Sequence, residues 1–95
     1  MKMYVIVRDD ISKSQQAVQA GHALAQFMLD YPFSDWKNGT LVYLQIPKKK
    51  LQMHLTNWSS KLKEISSFRE PDLNDELTAF AFLEPTPEVK RMKLL

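Results

Sequence analysis

Apolar residues recur along this chain with two patterns, one typical of strands and one typical of helices. Residues 2–8 are rich in β-branched and aromatic residues with few polar interruptions, which is typical of a strand covered on both faces. Residues 40–46 form the clearest strand pattern in the chain. Between these strands, apolar side chains recur at helical spacing from about Lys13 to about Asp30. They are Ala17, Ala20, Leu24, Phe27 and Met28.

The ends of this first helix also have sequence signals. Ser12 followed by Gln15 resembles a capping box, in which each side chain serves an unpaired backbone N–H of the other residue. Pro32 ends the helix, because proline disfavours the helical conformation at the residue before it. Asn38-Gly39 then indicates a turn into the second strand.

The second half of the chain predicts one more helix and two short strands. Pro47 is suited to the first position of a helix that runs to about Lys63. Its apolar stripe is one-sided, with Leu51, Leu55, Trp58 and Leu62. Residues 65–69 and 77–83 predict strands on either side of an acidic loop, and residues 88–92 favour one helical turn.

These elements predict one α/β domain over residues 1–95, in the order β-α-β-α-β-β. Two β-α-β steps imply crossover connections and a mainly parallel sheet. The short link between the last two strands favours an antiparallel pair, so we expect a mixed four-stranded sheet. There is no internal repeat and no low-complexity segment.

Composition narrows the class of protein. The chain has no cysteine, which excludes disulfides and cysteine-based metal sites and favours a reducing compartment. No apolar run approaches the roughly 20 residues of a membrane-spanning helix, so we expect a cytoplasmic protein without a membrane partner. The formal net charge is +2, yet residues 48–63 hold five lysines and no acid, while residues 70–76 hold four acids and no base. Such segregation can steer a polyanion, or it can simply describe two solvated surfaces.

The first helix carries the candidate chemistry. Gln15, Gln19 and His22 lie within about 60° of one another, on the side that the pattern places opposite the apolar face. Gly21 stands beside the histidine, and a glycine inside a helix costs about 1 kcal/mol relative to alanine. It is tolerated where a backbone or a ligand must come close. The alternative is a solvated face with one exposed histidine and a packing glycine.

Two charged segments offer possible partners for this face. A carboxylate from the acidic loop, Asp72 or Asp75, could hold His22 in the tautomer that accepts a proton from water; alternatively, the loop uses these residues for local backbone bonds. Lys48, Lys49 and Lys50 open the second helix, where an anion such as phosphate would suit the dipole better than cations do. A solvated lysine cluster is the alternative. His54 lacks metal-ligand spacing to His22 and is expected to be structural or exposed.

Three separated motifs, in the right order, resemble the peptidyl-tRNA hydrolase 2 family. Gln19-Ala20-Gly21-His22-Ala23 resembles its Gln-x-x-His-Ala motif. Residues 68–72, Phe-Arg-Glu-Pro-Asp, and residues 77–79, Leu-Thr-Ala, are similar to its second motif. The segment from Glu84-Pro85 to Lys93-Leu94-Leu95 is similar to its C-terminal end. The short bacterial or phage-type branch is the most similar, and the middle of the chain diverges from the family.

The resemblance implies a three-layer α/β/α fold, often homodimeric, that hydrolyses the ester between a peptide and the 3′ end of tRNA without a metal or cofactor. It assigns catalytic positions to His22 and Gln19, to Thr78, and to Asp72 or Glu70. In this hypothesis, water attacks the ester carbonyl and His22, oriented by Asp72, acts as the base. Thr78 and backbone amides bind the developing oxyanion. The tRNA phosphates are bound by Lys13, Lys48, Lys49 and Lys50.

The sequence also departs from the family. Gln15 stands where the family has its second lysine, and the acidic loop lacks an Asp-Ala-Gly stretch. A lost cation weakens stabilisation of charge on the ester oxygen. A second hypothesis is therefore a non-catalytic module of the same fold that binds tRNA or a protein. A third is a homodimeric structural protein whose contacts are Trp36, Trp58 or Leu94-Leu95.

Overall fold

A computed structural model describes residues 1–83 and 86–95, which form one sheet of five strands and two α-helices. The strands are β1 (Lys2–Arg8), β2 (Thr40–Ile46), β3 (Ile65–Glu70), β4 (Glu76–Phe82) and β5 (Lys93–Leu94). The helices are α1 (Lys13–Asp30) and α2 (Lys48–Ser59). Short 3₁₀ helices cover Pro71–Leu73 and Pro87–Arg91. The Glu84-Pro85 pair of the third motif lies outside the described residues.

The sheet is mixed, with the strand order β3-β4-β1-β2-β5. Of its pairings, β1 with β2 is parallel, whereas β1 with β4, β3 with β4, and β2 with β5 are antiparallel. The expectation of a mainly parallel sheet was therefore wrong, because β4 inserts in the antiparallel sense between β3 and β1. The four-strand count and the element order were also wrong, since the C-terminal residues add β5 and two 3₁₀ turns interrupt the second half.

The two helices cover opposite faces of this sheet. Met3, Val5 and Val7 of β1 join the core cluster that contains α1, whereas Tyr4 and Ile6 join the cluster that contains α2. Because successive side chains of a strand point to opposite faces, a strand covered on both sides must be apolar throughout. This arrangement explains why residues 3–7 of β1 are all apolar.

The buried face of α1 differs from the predicted one. Ala20 and Phe27 are buried and Leu24 is partly buried, but Ala17 and Met28 are exposed. Their places in the core are taken by Gln16 and Gln19, and by Ala23. A hydrophobicity pattern misses this face because two of its members are polar, and buried glutamines are tolerated only when their amides find hydrogen-bond partners.

On the other side of the sheet, the predicted stripe of α2 packs as expected. Leu51 and Trp58 are buried, and Leu55 and Leu62 are partly buried against the same cluster. The helix ends at Ser59, four residues before the predicted end. Trp36 and Trp58 are 5% and 3% exposed, so neither is available as a surface contact in the structural-protein hypothesis, whereas its third candidate, Leu94-Leu95, is exposed. Within the described residues, neither helix is long and apolar enough to cross a membrane.

Candidate functional site

The candidate site lies at the end of the sheet where β1, β2 and β3 finish and β4 begins. At this end, Ser12 caps α1, and its Oγ accepts a hydrogen bond of 3.2 Å from the backbone N–H of Gln15. The loop between β3 and β4 passes Asn74 and Asp75, which adopt left-handed backbone conformations with φ of 55° and 60°. Asn and Asp tolerate this conformation better than most residues do. The local sequence therefore directs both the start of α1 and the turn opposite it.

His22 lies on the exposed side of α1 and stacks against Phe68 of β3. The two ring centroids are 4.4 Å apart and the ring planes differ by 7°. Phe68 is itself half-buried against the α1 core. One face of the imidazole is therefore covered by a strand side chain, and this contact restricts the plane in which the ring nitrogens lie.

Gln19, by contrast, is fully buried, so the expectation that it shares an exposed face with Gln15 and His22 was wrong. Its amide nitrogen Nε2 donates to Glu70 Oε1 at 2.9 Å. Its amide oxygen Oε1 accepts from the Thr78 hydroxyl at 2.7 Å. The amide thus links β4 to the end of β3, and it fixes a carboxylate from inside the protein.

The position of Thr78 results from an irregularity in β4. Phe68 pairs with Ala79 and Arg69 pairs with Leu77, so Thr78 is an extra residue with no partner in the β3 register. A β-bulge of this kind changes the direction of a side chain. Simple alternation would put Thr78 on the same face as Phe80, the face covered by α2, whereas its hydroxyl bonds to Gln19 of α1. Sequence periodicity has no signal for this displacement.

His22 and the acidic loop line one cleft of about 630 Å³. The carboxylates of Glu70 and Asp72 both border it, as do Ser12 and Gln15 at the start of α1. Its apolar walls are Ile11, Val18 and Leu73. Thr78 and Gln19 are completely buried behind this cleft, so they are in a position to support its walls rather than to contact a ligand.

The structure therefore brings together part of the predicted site. His22, Asp72 and Glu70 share the cleft, and no hydrogen bond joins the imidazole to either carboxylate within residues 1–83 and 86–95. Asp75 does not border this cleft; its backbone N–H instead donates to the carbonyl of Glu70 at 2.9 Å and closes the turn. The catalytic roles of these residues remain predictions.

The four predicted tRNA-binding lysines are divided among separate surfaces. Lys13 is exposed at the first position of α1. Lys48 and Lys49 border a second cleft, of about 620 Å³, together with Arg69. Lys50 borders a third cleft, of about 430 Å³, on the other side of Pro47. The ammonium group of Lys48 also forms an ion pair with Glu76 at the start of β4.

Arg8, which the sequence pattern marked only as the end of a strand, organises this second cleft. It is 5% exposed, and its Nε and Nη2 donate to the two carboxylate oxygens of Asp10 at 2.5 and 2.7 Å. Its Nη1 lies 3.3 Å from Glu76 Oε1. The hydrogen bonds from Arg8 lower the pKa of Asp10, and those from Lys48 and Arg8 lower the pKa of Glu76. In the sequence, the arginine that directly precedes two aspartates is the signal from which this ion-pair cluster could have been predicted.

His54 borders the third cleft, opposite Glu88, and stacks on Trp58 with a centroid distance of 4.6 Å. Burial lowers the pKa of His54; the carboxylate of Glu88 opposes this shift, and Lys50 adds to it. The residue is half-buried and packed, which agrees with a structural histidine. Across the part of the chain that the structure describes, no group of three or more His, Cys, Asp or Glu side chains is arranged to hold a metal ion.

Gly21 has no packing role inside the protein. A Cβ built at this position meets no atom within 4 Å outside its own helical surroundings. The interpretation of a packing glycine was therefore wrong. The open space beside His22 remains compatible with the close approach of a ligand or another molecule.

Comparison with known proteins identifies the fold but no family. No family model matches the sequence, and no curated protein matches it. The structure is similar to that of a protein of unknown function from Agrobacterium tumefaciens C58, with a TM-score of 0.66 and 14% sequence identity. The similarity covers 99% of this chain and 96% of that one. At this level of identity, the similarity shows a shared fold alone.

Proposed function

We propose that this domain hydrolyses the ester that joins an acyl group to the 3′ end of tRNA, as a peptidyl-tRNA hydrolase-like esterase. The observation that carries the proposal is the shared cleft of His22 with Glu70 and Asp72. An imidazole beside carboxylates is an arrangement suited to general-base activation of water, because a carboxylate can orient the ring. The three motifs that resemble the peptidyl-tRNA hydrolase 2 family support the same reaction.

In the proposed mechanism, water in the cleft attacks the ester carbonyl. A ring nitrogen of His22 takes the proton of the attacking water and returns it to the ribose oxygen as that oxygen leaves. Asp72 hydrogen-bonds the other ring nitrogen when substrate closes the cleft, because hydrogen bonds of this kind are commonly longer in ligand-free sites. Phe68 holds the plane of the ring throughout.

The negative charge on the carbonyl oxygen needs donors at the cleft surface. The buried Thr78 hydroxyl is already directed at Gln19, so the proposal gives it a positioning role instead of oxyanion contact. The start of α1 borders the cleft through Ser12 and Gln15. Its free first-turn amides and the positive end of its dipole suit a developing anion.

The test is hydrolysis of purified aminoacyl-tRNA and of N-acetyl-aminoacyl-tRNA by the wild-type protein and by His22→Ala. We expect the substitution to reduce turnover by about 100-fold or more, the usual contribution of a general base. His54→Ala is the matched control, because this second imidazole lies outside the cleft and should leave turnover near wild type. Equal turnover by wild type and His22→Ala would remove the histidine from the mechanism, and no turnover of either ester by wild type would remove the enzyme proposal.

A non-catalytic module that binds tRNA or a protein is the second candidate. The observation that favours it is Gln15, which borders the cleft at the position where the resembled family has a lysine. Its test is tRNA affinity as a function of salt, since each phosphate contact steepens the decline. Binding with a steep salt dependence and without hydrolysis would establish the module. Sedimentation of the same sample checks the predicted homodimer.

A further inference from the structure

The cleft of His22 is lined by acidic side chains and, among the described residues, by no basic ones other than the histidine, although the proposed substrate, tRNA, is a polyanion. Its two acidic side chains are Glu70 and Asp72, and its described lining includes neither lysine nor arginine. Glu70 is half-buried, and the Gln19 amide holds one of its oxygens from behind. A carboxylate anchored in this way, beside apolar walls, favours a cation that brings apolar atoms with it.

The esters found at the end of tRNA differ in this respect. In peptidyl-tRNA, a peptide bond blocks the α-amino group of the esterified residue, so its α-nitrogen belongs to a neutral amide. When the amino group is free, the same position carries a basic amine that a carboxylate can bind as an ammonium. We infer that the cleft selects the free form: an aminoacyl ester whose ammonium binds Glu70 and Asp72, and whose apolar side chain packs on Ile11, Val18 and Leu73.

A second observation supports this assignment independently of the acidic residues. The neighbouring cleft is bordered by Lys48, Lys49 and Arg69, together with the carboxylates of Asp9, Asp10 and Glu76. Residues 9–10 border that cleft and residues 11–12 border the cleft of His22, so the two clefts meet along this segment. In this assignment, an aminoacyl nucleotide places its ammonium in the cleft of His22 and its phosphates beside Lys49 and Arg69, with the ester between them.

The inference rests on the proposed function for the ester, but the amine preference can be measured without turnover. Phenylalaninamide and N-acetyl-phenylalaninamide present the free and the blocked amine on a bond that is much harder to hydrolyse. We expect the free amine to shift the NMR signals of the His22 imidazole at about tenfold lower ligand concentration than the blocked amine does, because the free amine can form a hydrogen bond between charged groups. Equal affinity, preference for the blocked amide, or no binding of either would overturn the inference.

Variants then test whether the preference resides in Glu70. Glu70→Gln retains an acceptor for Gln19 but loses the charge, and it should bring the two affinities within about threefold of each other. Asp75→Asn is the matched control, because it removes one charge from the same loop, suits the left-handed backbone and lies outside the cleft lining. An unchanged preference in Glu70→Gln, or an equal loss in Asp75→Asn, would contradict the assignment.

Turnover separates this inference from the proposed function. Phenylalanyl-tRNA and N-acetyl-phenylalanyl-tRNA are compared after subtraction of the rate without protein. Faster catalysed hydrolysis of the free aminoacyl ester supports both statements. Faster hydrolysis of the blocked ester overturns the amine preference while the esterase remains. Hydrolysis of neither ester, with the amide preference intact, overturns the esterase and leaves a cleft that recognises amines.

Discussion

The hydroxyl of Thr78 donates a hydrogen bond of 2.7 Å to the amide oxygen of Gln19, across 59 positions of the chain. Neither side chain is exposed. The other end of the same amide donates to Glu70, which borders the cleft. A buried donor on a bulged strand therefore positions a carboxylate at the surface, and the order of the cleft depends on the core beneath it.

Loss of the Thr78 hydroxyl should therefore be destabilising. Thr78→Val keeps the shape of the side chain but leaves the Gln19 oxygen buried without this donor. We expect the free energy of unfolding to fall by about 1–2 kcal/mol, measured by urea denaturation. Thr78→Ser keeps the donor and should lose less. A valine variant as stable as wild type would show that this bond does not anchor Gln19.

At Gly21, by contrast, we expect a substitution that stabilises the protein. Because its Cβ position is free of neighbours, Gly21→Ala should raise the free energy of unfolding by about 1 kcal/mol, through helix propensity alone. Thermal or urea unfolding of the two proteins measures the difference. Gly39→Ala is the comparison, since a Cβ there would stand 3.2 Å from the carbonyl oxygen of Met1 and should bring no such gain. A Gly21→Ala variant less stable than wild type would contradict the finding that no atom lies close to this Cβ position.

The ion pairs of Arg8 predict how stability responds to acid. Since the folded pKa of Asp10 lies below its ordinary value of 3.8, the stabilisation is present above that pH and is lost as the pH falls through the folded pKa. Arg8→Met should therefore be less stable than wild type at pH 7, and the difference should shrink below about pH 4. Arg69→Met, which removes an exposed arginine, is the control. A difference that stays constant down to pH 2 would exclude the carboxylate contacts as its cause.

His54 predicts a second pH dependence, in a different range. Its folded pKa lies below 6.5, so the unfolded chain takes up the proton more readily and stability falls as the pH drops below 6.5. His54→Phe keeps an aromatic ring against Trp58 and should flatten the melting temperature between pH 7.5 and 5.5. His22→Ala, which leaves this contact intact, should retain the slope. A wild-type melting temperature that is flat over this interval would contradict the lowered pKa.

The elements with one consistent local signal were predictable from the sequence. The bounds predicted for β1, β2 and α1 agree with the structure, since an apolar run, a helical spacing and a capping serine each act over a few neighbouring residues. The end of α2 at Ser59 was not predicted, because Leu62 continues the apolar spacing beyond the last helical turn and packs on the same core from outside the helix.

Local chemistry in the sequence thus determined the main strands and helices, the residues of the acidic loop and the histidine of α1. The tertiary structure alone decided that Gln19 is a core residue, that Thr78 bulges towards α1, that Arg8 ties Asp10 to Glu76, and that β4 inserts antiparallel beside β1. The physical reason is distance along the chain. Periodicity and capping act between residues a few positions apart, whereas each of these outcomes depends on hydrogen bonds, ion pairs or strand pairing between segments that meet only when the sheet has formed.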